Sequence, residues 1–262
     1  MSLIDERAVI HPGAQIGAGV KVGPFAIIEE QVVIGDGCVI ESHAIVRNHT
    51  KMGAENHIFQ FASVGETPQY KALTPGQSEL IMGDRNTIRE NVTLNRGTPE
   101  HGGVTTIGDD NFIMAYAHIA HDCHVGNQTI FANGASLAGH VNVHDYAILG
   151  GFSLVHQFCN IGAHCITGIG AVCFKDVPPY TIAAGNPSEP FGINSRGLRR
   201  RDFDKDTILL LKLAYKLLYR SNLDFKSAIA AISSLSPENT ELNTFVAFLQ
   251  SSERGVIRKK GE

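Results

Sequence analysis

Histidines and one aspartate are concentrated in a short stretch of this 262-residue chain. The segment AHIAHDCHVG contains His118, His121, Asp122 and His124 within seven positions. A neutral imidazole accepts a proton near pH 7, and a neighbouring carboxylate can orient that imidazole and stabilise its cation. The spacing does not place these side chains on one helix face. Many zinc sites contain a CxxC pair, and none is present here. Some larger regularity of the fold must therefore gather them.

A six-residue repeat runs through most of the chain. Every sixth residue from Ile10 to Val64, from Met82 to Leu94 and from Ile107 to Cys173 gives 25 positions, of which 23 are Ile, Leu, Val, Met or Phe. Six is neither the period of a helix nor that of a simple strand. It is typical of a solenoid in which each hexad forms a short flat strand and a tight corner. Three hexads, or 18 residues, then close one triangular coil.

Two segments interrupt the repeat. They are ETPQYKALTPGQSEL, near residues 66–80, and TPEHGGVTT, near residues 98–106. Extra loops on a rigid scaffold commonly carry binding or catalytic residues. Function is therefore expected close to these two insertions.

The end of the repeat divides the chain into two predicted domains. We expect a parallel β-helix over residues 1–190 and a small α-helical domain over residues 191–262. Apolar residues at helical spacing begin at Ile208, and further helical stretches are expected at roughly 224–235 and 240–251. The helical domain is expected to cover the open end of the last coil.

The 18-residue period predicts which distant residues lie close together. Residues 18 apart should lie above one another, so Gly139 and Gln157 follow His121 in one column. Asp122 and His140 share the next column. A base at His121 could then act beside a backbone N–H of Gly139 that accommodates an oxyanion. No Ser or Cys nucleophile is needed, because such a base can activate a substrate hydroxyl for direct attack on an acyl carbonyl.

Composition narrows the class of protein. The formal net charge is −4, which argues against a general nucleic-acid binder. No apolar run approaches the length of a membrane span, and the polar N-terminus does not have the pattern of a signal peptide. The five cysteines occupy core slots of the repeat, so we expect buried, reduced thiols and a cytoplasmic location.

Five motifs carry a resemblance to a known family. NRGT, AHIAHDCHVGN, LAGHV, VHQFCNIGAH and DVPPYTIAAGNP resemble those of the UDP-N-acetylglucosamine O-acyltransferases, hexapeptide-repeat enzymes of lipid A biosynthesis. The resemblance implies a left-handed parallel β-helix and a homotrimer with active sites between subunits. It also implies transfer of an (R)-3-hydroxyacyl chain from acyl carrier protein to the 3-hydroxyl of UDP-N-acetylglucosamine. Neither a metal nor another cofactor is implied.

The family's functional residues map onto particular positions. His121 matches the general base, Asp122 its partner and Gly139 the oxyanion-hole amide. Ile169 matches the end of the acyl-chain groove, which is Gly in members that take longer chains and bulky in members that take shorter ones. A shorter chain is therefore predicted. The positions that match substrate-binding residues are Lys71, His118, His140, His156, Gln157, Asn194, Arg200 and Arg201.

Three positions depart from the family's pattern. Counting without gaps places Ala72 where the family has a loop lysine, and Lys71 is one residue away. Arg196 stands where the family has a glutamate near the nucleotide, and Asn95 where it often has a histidine. These differences affect the expected nucleotide contacts and leave the His121 chemistry intact.

Other functions fit parts of the pattern. The related N-acyltransferase usually carries an extra N-terminal domain, whereas the repeat here begins by Ile10. An acetyl-CoA-dependent acetyltransferase uses the same repeat, and some relatives acylate a 3-amino sugar. A γ-type carbonic anhydrase also uses this solenoid and binds zinc through histidines of two subunits; His118, His121 and His140 are the candidates here.

Overall fold

The computed structural model describes residues 3–258, which form 27 short β-strands and four α-helices. Strands β1 to β9 are Val9–Ile10, Gln15–Ile16, Lys21–Val22, Ile27–Ile28, Val33–Ile34, Val39–Ile40, Ile45–Val46, Thr50–Met52 and His57–Ile58. Strands β10 to β18 are Ser63–Glu66, Glu79–Met82, Thr87–Ile88, Thr93–Asn95, Val104–Ile107, Phe112–Ile113, His118–Ile119, His124–Val125 and Ile130–Phe131. Strands β19 to β27 are Ser136–Leu137, Asn142–Val143, Ile148–Leu149, Leu154–Val155, Asn160–Ile161, Ile166–Thr167, Val172–Cys173, Thr181–Ala184 and Glu189–Ile193.

Every third strand belongs to the same sheet. The first sheet runs from β1 to β25, the second from β2 to β23, and the third from β3 to β24, followed by β26 and β27. Pairing is parallel except between β26 and β27. In the regular coils each residue pairs with the residue 18 positions on, as Ile119 does with Leu137 and Leu137 with Val155. The predicted solenoid of hexads is confirmed.

The three sheets form the faces of a triangular prism. We call the edges that join these faces edges I, II and III. Edge I leads from the first sheet to the second, edge II from the second to the third, and edge III from the third back to the first. In the coils that matter below, edge I contains residues 120–123, 138–141 and 156–159, edge II residues 144–147 and 162–165, and edge III residues 150–153 and 168–171.

A left-handed backbone residue turns the chain at most corners. On edge I these residues are Asp122, His140 and Phe158, with φ values of 57°, 62° and 64°. Asp and His tolerate this conformation better than most side chains do. Because the same corner geometry recurs in successive coils, the three side chains stack in one column on the outside of the prism.

The interior of the prism holds the large residue of each hexad. A continuous buried cluster extends from Val20 to Ala183 and also includes Ile257. All five cysteines are buried free thiols, as predicted. Because the core is filled by side chains, chemistry has to occur on the outer edges.

Both interruptions of the repeat leave the solenoid at edge I. Residues 67–78 connect β10 to β11, and residues 96–103 connect β13 to β14. The second loop contains a 3₁₀ helix at Pro99–His101. Since both loops join the first sheet to the second, they lie on the same side of the prism as His121.

Four helices follow the solenoid. They are α1 (Ser195–Arg200), α2 (Lys205–Tyr219), α3 (Phe225–Ser233) and α4 (Thr240–Ser251). An Asn or Asp side chain accepts a hydrogen bond from the first turn of each helix, which satisfies an orphan backbone N–H there. The helices enclose a second core, which includes Ile208, Leu211 and Phe245. The helical stretches expected from the sequence are confirmed.

The C-terminal segment returns to the solenoid. Asp176 and Val256 form a parallel bridge, and Ile257 lies in the core of the prism. Asp176 also accepts a hydrogen bond from Ser252 at 2.6 Å. The predicted domain boundary at residue 190 falls within β27 and stays a prediction.

Candidate active site

His121 and Asp122 form a hydrogen-bonded pair on edge I, and we call this pair the dyad. Nδ1 of His121 lies 2.8 Å from Oδ2 of Asp122, and the two side chains are 14% and 3% exposed. A proton on Nδ1 donates to the carboxylate and leaves the lone pair of Nε2 free. The pair therefore has the geometry of an oriented general base.

Thr98 and Thr105 hold the aspartate in place. Thr98 donates its backbone N–H to Oδ1 of Asp122 at 2.8 Å and its hydroxyl to Oδ2 at 2.7 Å. The backbone N–H of Asp122 donates to Oγ1 of Thr105 at 2.8 Å. Sequence reasoning missed both threonines. The available signal was the insertion near residues 98–106, which places Thr98 one coil below Asp122.

The absence of a side chain at Gly139 makes room for the His121 ring. A Cβ atom there would lie 2.6 Å from Cε1 of His121 and 2.9 Å from Nε2. The backbone N–H of Gly139 has no acceptor among residues 3–258. The ring and this N–H are thus adjacent, as the column prediction required.

His140 lies in the Asp122 column between an aromatic ring and the dyad. Its ring stacks on Phe158 at 4.4 Å and meets His121 edge-on at 5.2 Å. Its Nε2 lies 3.7 Å from Oδ2 of Asp122, and His101 packs edge-on at 4.7 Å between ring centroids. Burial lowers the pKa of His140, although Asp122 partly opposes this shift. His140 is therefore a neutral hydrogen-bonding group near pH 7.

His118 lies on the first sheet next to this edge. Its Nδ1 is 2.7 Å from Oγ1 of Thr93 in the preceding coil. Burial lowers the pKa of His118, and the nearby His121 adds to the shift. His118 is thus a neutral, oriented imidazole close to the dyad.

The first loop places a tyrosine against the His121 ring. The Tyr70 and His121 ring centroids are 5.5 Å apart. Lys71 follows Tyr70 in the sequence and is exposed to solvent. Tyr70 is a contact that sequence reasoning missed, and the role assigned to Lys71 remains a prediction.

His156 and Gln157 lie on edge I, on the far side of Gly139 from His121. Nδ1 of His156 is 3.2 Å from the carbonyl oxygen of Gln157, and the Gln157 residue is exposed. Both residues are on the edge that the 18-residue period predicted. Each presents a polar group to solvent there.

Asn194 lies beside edge II, where its side chain supports the fold. It caps α1 by accepting a hydrogen bond from the Gly197 N–H at 3.0 Å. Its amide donates to the carbonyl of His164 at 2.9 Å. Both ends of this buried amide are thus engaged within the chain.

The two predicted phosphate-binding arginines also lie beside edge II. The Arg201 guanidinium sits 4.5 Å over the ring of Tyr146, which stacks on His164 at 4.6 Å. Arg200 is exposed. A cation–π contact holds Arg201 in place, whereas Arg200 is directed towards solvent.

Ile169 lies on edge III. Its residue is 87% exposed, so it is not packed between coils. Within one chain, the dyad, the two arginines and Ile169 therefore occupy three different edges of the prism.

Three groups at edge I could together bind a metal ion. Ligand atoms of His121, Asp122 and His140 all lie within 4.8 Å of one another. His118, the third histidine considered for the carbonic anhydrase alternative, is not in this group within residues 3–258. The donor set is two imidazoles and a carboxylate from adjacent columns.

Two family profiles match the chain. Residues 176–257 match the second domain of UDP-N-acetylglucosamine O-acyltransferase. Residues 13–48 and 105–139 match the bacterial transferase hexapeptide, a six-repeat profile.

Full-length relatives point the same way. An acyl-[acyl-carrier-protein]–UDP-N-acetylglucosamine O-acyltransferase from Herminiimonas arsenicoxydans is 47% identical over 98% of this chain and 100% of its own length. The structure of LpxA from Acinetobacter baumannii is 44% identical with a TM-score of 0.96, covering 98% of this chain and 100% of that one. The UDP-N-acetylglucosamine acyltransferase of Francisella novicida is 40% identical with a TM-score of 0.96, covering 98% and 95%. None of the helices in residues 3–258 combines the length and apolar composition needed to cross a membrane.

Proposed function

Because the chain belongs to the UDP-N-acetylglucosamine O-acyltransferase family, we propose that it makes the first acyl transfer of lipid A biosynthesis at edge I. The donor is an (R)-3-hydroxyacyl chain on acyl carrier protein, and the acceptor is the 3-hydroxyl of UDP-N-acetylglucosamine. The observation that carries the proposal is the His121–Asp122 hydrogen bond of 2.8 Å beside the Gly139 N–H.

His121 acts as the general base in one displacement. Its Nε2 takes the proton of the sugar hydroxyl while that oxygen attacks the thioester carbonyl. Asp122 accepts the Nδ1–H and stabilises the imidazolium that forms. The tetrahedral oxyanion is stabilised by the N–H of Gly139. When the intermediate collapses, the C–S bond breaks and the imidazolium returns the proton to the leaving thiolate, so His121 ends neutral.

The proposed reaction needs no cofactor. The residues on edge I supply a base, a carboxylate and an N–H that donates a hydrogen bond to the oxyanion. The thioester supplies the activated acyl group. His118, His140, His156 and Gln157 present polar groups along the same edge, which supports a role in holding the sugar. The free, buried cysteines fit a reducing compartment, so we place the enzyme in the cytoplasm.

A homotrimer is proposed because the predicted site residues lie on different edges. Each face of the prism is about six residues wide, on the order of 15–20 Å at ~3.3 Å per residue. Arg200, Arg201 and Ile169 on edges II and III therefore reach the dyad most simply from neighbouring chains. Edge III also exposes large aromatic residues, which favours burial against another chain; Tyr116 is 67% and Phe152 68% exposed.

Arg200 and Arg201 are proposed to bind the nucleotide diphosphate. A guanidinium stays charged near neutral pH and can form two parallel hydrogen bonds with a phosphate group. Arg201 is already positioned over Tyr146, so less side-chain entropy is lost when it binds.

An acyl-transfer assay tests the function. The purified protein is given UDP-N-acetylglucosamine and (R)-3-hydroxyacyl carrier proteins of defined chain length, and the acylated sugar nucleotide is measured by mass spectrometry. We expect O-acyl product with a preferred chain length and almost none with His121→Ala. Product with acetyl-CoA but none with any acyl carrier protein would favour the acetyltransferase alternative. Higher activity on a 3-amino sugar would change the acceptor.

A further inference from the structure

The dyad and His140 together could bind a metal ion. The proposed acyl-transfer mechanism uses the dyad as a base and needs no metal ion there. We propose that His121, Asp122 and His140 bind a zinc ion and that the bound ion inhibits the enzyme. The binding site stands on geometry alone, whereas the inhibition rests on the proposed role of His121 as the base.

The separations between the ligand atoms suit a small tetrahedral ion. Zinc binds His nitrogen and carboxylate oxygen at about 2.0–2.2 Å, which places two ligands of a tetrahedron roughly 3.3–3.5 Å apart. Oδ2 of Asp122 lies 2.8 Å from Nδ1 of His121 and 3.7 Å from Nε2 of His140. These two distances bracket the required value, and all three ligand atoms lie within 4.8 Å of one another, so side-chain movements on the order of 1 Å close the site.

The ligands are already held by neighbouring groups. Thr98 donates two hydrogen bonds to the Asp122 carboxylate, and Phe158 stacks on the His140 ring. Such supporting contacts raise metal affinity, because less order is lost when the ion binds. Two imidazoles and one carboxylate form a donor set that suits zinc and leaves a fourth position for water.

An ion at this site would disable the base. Coordination through Nδ1 of His121 requires the lone pair of that nitrogen, so the proton that donates to Asp122 has to move to Nε2. The ring stays neutral, and no net proton is released. With a hydrogen on Nε2, the imidazole cannot accept the proton of the sugar hydroxyl. The ion therefore lowers turnover without touching the nucleotide.

Direct binding tests the site. The full-length protein is titrated with ZnCl₂ by calorimetry and with CoCl₂ by visible absorption, where tetrahedral Co²⁺ absorbs strongly. We expect one ion per chain. His140→Gln and Asp122→Asn should each weaken binding at least ~10-fold, because each removes a ligand. His124→Gln is the matched control, since this exposed histidine contacts Thr106 and lies outside the ligand group.

The outcomes separate the two proposals. Loss of binding in the ligand variants and its retention in His124→Gln support the site, provided that circular dichroism shows folded proteins. Absence of binding to the unsubstituted protein, or unchanged binding in His140→Gln, overturns it. In the acyl-transfer assay, Zn²⁺ should lower kcat at the concentration at which it binds, and EDTA should restore it. Full activity with the ion bound refutes the inhibition. A protein that binds the ion but shows no acyl transfer even after EDTA has removed it refutes only the acyl-transfer function.

Discussion

Replacing Gly139 with alanine tests whether the position of the His121 ring sets the rate. The added Cβ would lie 2.6 Å from Cε1 of His121. Non-bonded carbons settle at about 3.5–4.0 Å, so the ring must retreat by about 0.9 Å (3.5 minus 2.6). Gly139 is not among the glycines with a left-handed backbone, so alanine fits its main chain.

The predicted cost falls on catalysis. A misplacement of about 1 Å at a reacting group can reduce the rate ~100-fold. This corresponds to about 2.7 kcal/mol in the activation free energy, at ~1.36 kcal/mol per factor of ten. Folding stability should change less, because the His121 side chain is partly exposed and can swing outward.

The assay compares kcat at saturating substrates with the melting temperature. Gly151→Ala is the matched control, because Gly151 occupies the same hexad position on edge III and its Cβ would meet only an oxygen of Asn133, at 3.5 Å. We expect this control to turn over normally. If Gly139→Ala turned over as fast as Gly151→Ala, the tight fit of the His121 ring would not matter to the rate, and the reasoning would be wrong.

Four further results are expected. His121→Ala should lower kcat by roughly two to four orders of magnitude, and Asp122→Asn should cost less because the imidazole remains; the opposite order would reverse their roles. Arg201→Ala should raise KM for UDP-N-acetylglucosamine and leave kcat nearly unchanged, whereas a pure kcat defect would contradict diphosphate binding. Ile169→Gly should raise activity with longer hydroxyacyl donors by roughly one to two orders of magnitude, seen in a chain-length profile; an unaltered profile would place the end of the groove elsewhere. Burial lowers the pKa of His164 to about 4, while an unfolded histidine titrates near 6.5. Below pH ~6.5 the unfolded chain therefore takes up a proton that the folded chain refuses, and stability falls until about pH 4. Denaturant titrations of His164→Phe should show a flatter pH dependence over this range, and an identical slope would assign the effect to other groups.

The column at edge I was predictable because a solenoid turns sequence distance into spatial distance. Once the hexads are recognised, a step of 18 residues means one coil, so Gly139 falls beside His121 and His140 beside Asp122. The parallel register confirms this arithmetic in the coils from β16 to β25. No long-range folding rule was needed, because every coil repeats the same local geometry.

The loops did not yield to the same argument. Their residues have no period, so the sequence does not indicate how far each reaches or which side chain turns inward. Thr98, which holds Asp122 through two hydrogen bonds, and Tyr70, which packs on His121, became visible only in three dimensions. No short-range sequence pattern predicts these two contacts, because they depend on the path of an irregular loop.

By itself, the sequence determined the solenoid, the buried cysteines, the helices that follow, and the pairing of His121 with Asp122, Gly139 and His140. Each of these rests on a period or on neighbours along the chain. Only the tertiary structure decided that Asn194 is committed to capping α1, that Arg201 rests on Tyr146 at edge II, and that Ile169 stands exposed on edge III. The physical reason is that a side chain's partner outside the repeat is chosen by packing between elements, and packing depends on the whole folded surface rather than on any local spacing.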